Sequence, residues 1–446
     1  MEIVGMVRFV REHKGGSKFM KHSKLFGLVT LSVLSLVGCT GGSTSATSAG
    51  SNSAAPTQKE KLVIGGPSLQ TDWIKTEVET FLTQNKLSDK YTVENYTLGE
   101  GDVNNADKIS DWSVGPDLFA YASDQTLGLV QKGILGEVPS TFANTMKTNM
   151  ADEAVAAAKV GTKMYGYPYA GDNGYFLYYN KSVFKGKEDK LNTVDGIVEV
   201  CKASNLKFSY KLADTFFSTG LLFTFGARYN VTLSTDETSI ANITADFNTE
   251  KGLKAAKAMR SIVQNTTIDT TKDGQKAPTT ANGLGACVDG SWNASTYSTA
   301  MGADYGCVKL PTVTVDGETK NISAFLGYKL YGVNKLKSQS SEKLAVLHKL
   351  ANYLVSPSVQ EKRFDDLTIA PTDKTVKAMA KVQNTPHVKA LADQAQFAVA
   401  QTIVPNGVWT ESSNPYTPIL AKGSNTITDA ELQSYMDSYN VAVTTK

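Results

Sequence analysis

The stretch that most constrains the chain is residues 161–181, GTKMYGYPYAGDNGYFLYYNK. It sets Tyr165, Tyr167, Tyr169, Tyr175, Tyr178 and Tyr179 around a polar quartet, Gly171-Asp172-Asn173-Gly174. Pro168 and the glycines punctuate the stretch as strand, turn, strand, so it reads as a crossing between two bodies and not as a helix. A tyrosine-rich hairpin in a core sheet is the plainer alternative, and it suits Tyr178 and Tyr179 well. Asp172 and Asn173 fit a core poorly, because buried polar groups need partners. They mark a candidate hinge and cleft.

Two bodies also suit the length, since 446 residues predict two or three domains at ~100–200 residues each. Residues 61–64 form a short apolar strand. After a Gly-Gly-Pro-Ser turn, residues 72–81 follow as an amphipathic helix with Trp73, Val78 and Phe81 on one side. Residues 116–121 form a second strand with Asp124 beyond its carboxyl end, then a helix through Val130. Strands alternating with helices predict parallel pairing and a doubly wound α/β lobe. Beyond the tyrosine stretch, helices are expected over 194–203, 216–225 and 250–264, and strands over 283–292 and 305–310. Residues 324–333, AFLGYKLYGV, form a second apolar crossing that returns the chain to the first lobe. A helix over 342–355 stops at Ser356-Pro357, as a proline requires, and the remainder is expected to be mostly helical.

The amino terminus sets the compartment. Lys21 and Lys24 precede a 13-residue apolar run, residues 25–37. That run is too short for the ~20 residues of a membrane span and matches a cleaved signal. It ends in Leu36-Val37-Gly38-Cys39, which resembles a bacterial lipobox. The resemblance implies cleavage before Cys39 and a diacylglycerol on its thiol. Residues 1–19 fit no signal-peptide logic, which favours Met20 over Met1 as the start. A Gly/Ser/Thr/Ala tract then provides a flexible linker over 39–58. Six of the 45 Lys/Arg and two of the 43 Asp/Glu lie in residues 1–38, so the rest carries a formal −2. No basic patch is left to steer a nucleic acid.

Catalytic patterns are missing from the sequence. It holds no H-E-x-x-H, G-x-S-x-G or Walker A pattern, and none of its four histidines sits in a cluster of carboxylates or cysteines. Gly283-Leu284-Gly285 starts a dinucleotide fingerprint that Val288 breaks. No zinc-ligand spacing occurs, and no cofactor is expected. Cys201 reads as a buried thiol, while Cys287 and Cys307 lie in strand-like segments of an extracellular chain and could form a disulfide. What remains is aromatic and acidic groups at the carboxyl ends of expected strands, where open α/β sheets bind ligands. Tyr121 with Asp124, Asp289 with Trp292, and Trp409 in the loop 405–409 are such groups. Indoles cover the apolar faces of sugars, and Asp124, Asp172 and Asn173 can accept from or bridge hydroxyls.

The motifs LVIGG, GPDLFAYASD, LVQKGILGEVP, YGYPYAGDNGYFLYYNKSVF, GACVDGSW, YGCVKLPTV, FLGYKLYGVNK and IAPTDKT follow one another in order. From about residue 60 onward this ordered set resembles the family 1 extracellular solute-binding lipoproteins, specifically the maltose/maltodextrin-binding group. The resemblance implies a two-lobed α/β fold of the periplasmic-binding-protein type II, with a hinge and a ligand cleft between lobes. It places lobe 1 at 59–171 with 327–371, and lobe 2 at 172–326 with 372–446. It puts the family's cleft carboxylate on Asp124 with Tyr121 before it, the hinge acid on Asn173 or Asp172, and the cleft tryptophan on Trp292. A lining aromatic falls on Phe216, and the polar positions after the first strand fall near Gln70 and Asp72. The chain departs from the pattern at Asn173, which replaces an acid, and at Phe216, which lacks a hydroxyl. The lysine and acid after the first strand are also unmatched, so maltose itself does not follow. The implied function is a lipid-anchored, non-enzymatic receptor of an ABC sugar importer on the outer face of the cell membrane. It would act as a monomer, with permease subunits and their ATPase as partners and maltodextrin or a related oligosaccharide as ligand. Two alternatives stay open: a ferric-ion receptor using Tyr178 and Tyr179, and a secreted glycosidase using Asp124 and Asp172.

Overall fold

In the computed structural model, residues 58–271, 276–337, 339–423 and 425–445 are described. The signal segment, Cys39, both candidate start methionines and nearly all of the 39–58 linker lie outside the described residues. No helix among the described residues is long and apolar enough to cross a membrane.

Ten strands form one sheet: β1 Glu60–Gly66, β2 Tyr91–Thr97, β3 Leu118–Ala122, β4 Tyr167–Asn180, β5 Lys207–Tyr210, β6 Ile268–Asp269, β7 Leu284–Gly290, β8 Tyr305–Val308, β9 Ala324–Val333 and β10 Ala398–Ala400. The order is β6-β5-β7-β4-β9-β3-β1-β2, with β8 added to β4 and β10 to β9. β1 pairs in parallel with β2 and β3, and β5 in parallel with β6 and β7. Strands of this kind are covered on both faces by their crossover helices. β3 and β7 are accordingly buried at every position. The α/β alternation read from the sequence is present in both halves.

Two separate apolar cores flank the middle of the sheet, and only β4 and β9 run from one to the other. Tyr167, Tyr169 and Ala170 of β4 belong to the first core, and Tyr175 and Leu177 to the second. β9 returns the opposite way, with Ala324 and Phe325 in the second core and Leu330, Tyr331 and Val333 in the first. At 14 residues, β4 is more than twice the usual strand length of about 5–6 residues.

The expected turn at Gly171–Gly174 is absent. β4 runs straight through it, and neither glycine has positive φ. The local turn signal is overridden by antiparallel pairing with β9, and what remains of it is a bulge: β4 carries one extra residue opposite Gly327–Lys329, within Gly171–Asp172, and another opposite Lys329–Leu330. Gly174 serves close packing: a Cβ there would lie 2.8 Å from Leu391 Cδ1 and 3.0 Å from Leu326 Cδ1.

The disulfide expected between Cys287 and Cys307 is not formed; both thiols are free. β7 and β8 pair with opposite edges of β4, and both cysteines face Tyr178 in register. Two inter-strand spacings, about 9.5 Å, separate their backbones, beyond the ~7 Å limit for a bridge. The same geometry counts against iron capture by Tyr178 and Tyr179. Neighbours on a strand face opposite sides. Tyr178 is buried with its hydroxyl donating to Gly290 O at 2.9 Å, and Tyr179 packs against Phe184.

Candidate functional site

A strand that ends in a short polar turn offers free backbone groups and side chains beyond the sheet. Two such turns close in on the crossing strands. Ser123–Gln125 follows β3, and Ser291–Asn293 follows β7; each is a single 3₁₀ turn leading into a helix. Each opens with a buried serine tied to the hinge. Ser123 Oγ donates to Gln401 O at 2.5 Å and accepts from Tyr328 N–H at 3.2 Å. Ser291 Oγ donates to Asp172 O. Gln401 follows β10 and accepts through Oε1 from Asn173 Nδ2 at 2.9 Å. Gly327 fits between these groups because a Cβ there would lie 2.9 Å from Gln401 Oε1 and 3.1 Å from Ser123 Oγ. Asp124, Asp172, Asn173 and Trp292 are thereby gathered where the two halves of the sheet meet.

Three of the sequence candidates carry buried acceptor atoms with no hydrogen-bond partner: Gln70 Oε1, Asp124 Oδ1 and Asp172 Oδ1. Buried polar atoms are almost always satisfied, so each exception needs a reason. Asp124 Oδ2 accepts from Gln125 Nε2 at 2.6 Å. Burial outweighs the help of Gln125 and Gln401 and pushes the carboxyl up to about 6. Asp172 Oδ1 lies 3.4 Å from Lys329 Nζ in a buried ion pair. Lys329 also faces Glu100 Oε1 at 3.7 Å, and Glu100 Oε1 accepts from Tyr169 Oη at 2.8 Å. Burial alone would lower the Lys329 pKa, but Asp172 and Glu100 outweigh it and raise the ammonium.

The aromatic candidates join through a residue the sequence reading passed over. Trp292 lies 6.0 Å from Phe216, Phe216 stacks on Phe325 at 5.7 Å and 12°, and Phe325 lies 5.4 Å from Trp409. Trp292 is 37% exposed at one end of this row. Beneath its turn, fully buried Asp289 accepts from Gly290 N–H at 2.8 Å, Asn293 Nδ2 at 3.0 Å, Tyr297 Oη at 2.6 Å and Lys211 Nζ at 3.2 Å. Those bonds fix the backbone that holds the indole outward.

Two candidates do not join the site. Tyr121 is fully buried in the first core, 5.7 Å from Phe119, because its position on an all-buried central strand leaves no open face. Asp72 is exposed on the helix Thr71–Gln84. Its neighbour Trp73 turns in instead, donating to Asp366 Oδ2 at 2.8 Å with the Arg363 guanidinium 4.7 Å from its ring. The sequence reading also missed Glu100, Lys329 and Gln401. A single lysine inside the apolar run 324–333 was the available signal for Lys329.

A cavity of about 440 Å³ also borders the crossing strands, against Gly171, Leu326 and Tyr328. Ala156, Leu391 and Ala400 complete a mainly apolar wall, and none of the unpaired acceptors lines it. The polar chemistry is therefore elsewhere. No cluster of three His, Cys, Asp or Glu that could hold a metal occurs among the described residues.

The chain is similar to known proteins over most of its length. A sequence profile for bacterial extracellular solute-binding proteins matches residues 77–390. The maltooligosaccharide ABC transporter solute-binding lipoprotein of Streptococcus pneumoniae is 27% identical over 394 residues, 85% of this chain and 86% of that protein. The unliganded maltodextrin-binding protein MalE1 of L. casei BL23 superposes with a TM-score of 0.72 at 20% identity, covering 87% of this chain and 100% of that one. The maltose-maltodextrin binding protein of Alicyclobacillus acidocaldarius gives 0.67 at 22% identity, over 85% of this chain and 100% of that one. The fold is thus the two-lobed one expected, and the chain belongs to the bacterial extracellular solute-binding protein family.

Proposed function

We propose that the chain is the lipid-anchored receptor of an ABC importer and captures maltooligosaccharides. The observation that carries this reading is the buried acceptor Asp124 Oδ1, which has no hydrogen-bond partner, gathered at the crossing strands with Asp172, Asn173 and exposed Trp292 at the end of its aromatic row. A sugar hydroxyl is a donor that would satisfy Asp124 Oδ1, and glucosyl C–H faces suit indole rings. The pneumococcal relative, a maltooligosaccharide-binding lipoprotein, supports the same class of ligand.

In this reading the lobes are 59–171 with 327–371 and 172–326 with 372–446, and β4 and β9 form the hinge. Ligand held by Asp124 on one side and Trp292 on the other favours the closed state by its differential affinity for it. Cys39 anchors the receptor to the outer face of the membrane, and the closed form docks on permease subunits driven by an ATPase. A thermal-shift series on the folded part, residues 58–446, tests the ligand class. Maltose, maltotriose and longer maltodextrins should raise the midpoint by mass action, more with chain length. A shift only with unrelated sugars would replace the ligand, and no shift with any sugar would overturn the proposal.

A further inference from the structure

Two hairpins outside the main sheet meet each other across the two cores. Lys159–Val160 pairs with Lys163–Met164, and Met164 packs in the first core. Tyr229–Leu233 pairs with Ile240–Ala245, and Ile243 packs in the second core. Glu237, at the tip of the second hairpin, accepts through Oε2 from Thr162 N–H at 2.9 Å and Thr162 Oγ1 at 2.8 Å. The contact is closely shaped. Gly161 has φ +59°, and a Cβ there would fall 2.3 Å from Glu237 Cδ. Glu237 itself sits at φ 59°, uncommon for a residue with a side chain, in a turn closed by its own N–H donating to Ser234 O at 2.9 Å. At the base of the same hairpin, Tyr229 Oη is a buried polar atom without a hydrogen-bond partner. Burial is the main cause that raises its pKa.

We infer that the arrangement of the lobes in this structure is the closed one and that the hairpin 229–245 is a strap that locks it, with Glu237 on Thr162 as its clasp. This rests on the reading of the chain as a receptor that closes on its ligand. Neither clasp residue is among the residues assigned to the ligand, so Glu237 acts on how long the closed state lasts. Two hydrogen bonds accepted by one carboxylate at an accessible site should change the dissociation rate by about 3- to 10-fold.

The test uses spin labels at Asn144→Cys and Thr235→Cys, both exposed and one in each half, in the folded chain. Half-buried Cys307 is replaced by serine in every variant, while native Cys201 and Cys287 are buried, and burial raises both thiols, which keeps them from competing for label. Interspin distances and maltotriose dissociation are measured for parent, Glu237→Ala and Thr162→Ala. The strap predicts that Glu237→Ala depletes the short-distance population and speeds dissociation, with association unchanged. Thr162→Ala, which keeps the backbone N–H, should give a smaller change in the same direction. Identical distances in parent and Glu237→Ala would overturn it. If the parent binds no maltooligosaccharide, the proposed ligand fails, but the distance comparison still decides the strap.

Discussion

Replacing Asp124 by asparagine should stabilise the free protein and weaken its hold on ligand at the same time. The carboxyl is raised from 3.8 to about 6 by burial, with Oδ1 left unpaired. A folded-state pKa above the unfolded one means the folded state favours the proton. Its contribution to stability is therefore fully present below about pH 4 and lost as pH rises through about 6. About two pH units at 1.36 kcal/mol each set an upper bound near 3 kcal/mol at pH 7, and relaxation makes about 1–3 kcal/mol the working range. Asparagine is a neutral stand-in for the protonated acid and avoids that cost. Guanidinium unfolding at pH 7 should show Asp124→Asn more stable by this amount, and the difference should shrink strongly at pH 4. Ligand affinity should fall by about tenfold or more, because a charged acceptor is worth roughly 1.5–3 kcal/mol and a neutral amide less. A variant no more stable at pH 7, or a gain of equal size at both pH values, would refute the reasoning.

Other perturbations follow from the same geometry. Trp292→Ala should leave stability nearly unchanged, since the side chain is 37% exposed, yet weaken maltotriose binding by about 1–3 kcal/mol in calorimetry. Lys329→Met strands Asp172 and Glu100 as buried carboxylates, and denaturant titration should report a loss of about 3–5 kcal/mol. Adding Asp172→Asn should restore part of it. Reductant should not move the thermal midpoint, because Cys287 and Cys307 are free, and native Cys307, pushed up to about 12 by burial, should react slowly with a thiol reagent.

The fold was largely legible because its determinants are local and repetitive. Apolar strands followed by amphipathic helices predict parallel α/β lobes, and β4 and β9 stood out as the crossings. The signals that failed were overridden at long range. Gly171-Asp172-Asn173-Gly174 is a turn by local rules, but pairing with β9 holds it extended. The three-residue strand β10 lies in a stretch read as helical, and only its pairing with β9 makes it a strand. At the site, Asp124 and Trp292 were legible as candidates because polar and aromatic residues at strand ends have a physical reason to be there, and Asp172 and Asn173 because a polar pair in a core needs partners; the structure brings the four together. Tyr121 shares the strand-end signal yet points into a core, since a fully buried strand offers no open face. Lys329, Glu100 and Gln401 come from three distant segments, and no spacing in the sequence relates them.

The most direct test of the central claim is a crystal structure of the folded chain with maltotriose. The account predicts sugar hydroxyls about 2.7–3.0 Å from Asp124 Oδ1 and Asp172 Oδ1, with a glucosyl face over Trp292. Sugar seated in the apolar cavity beside Tyr328, or bound without contact to either carboxylate oxygen, would contradict it.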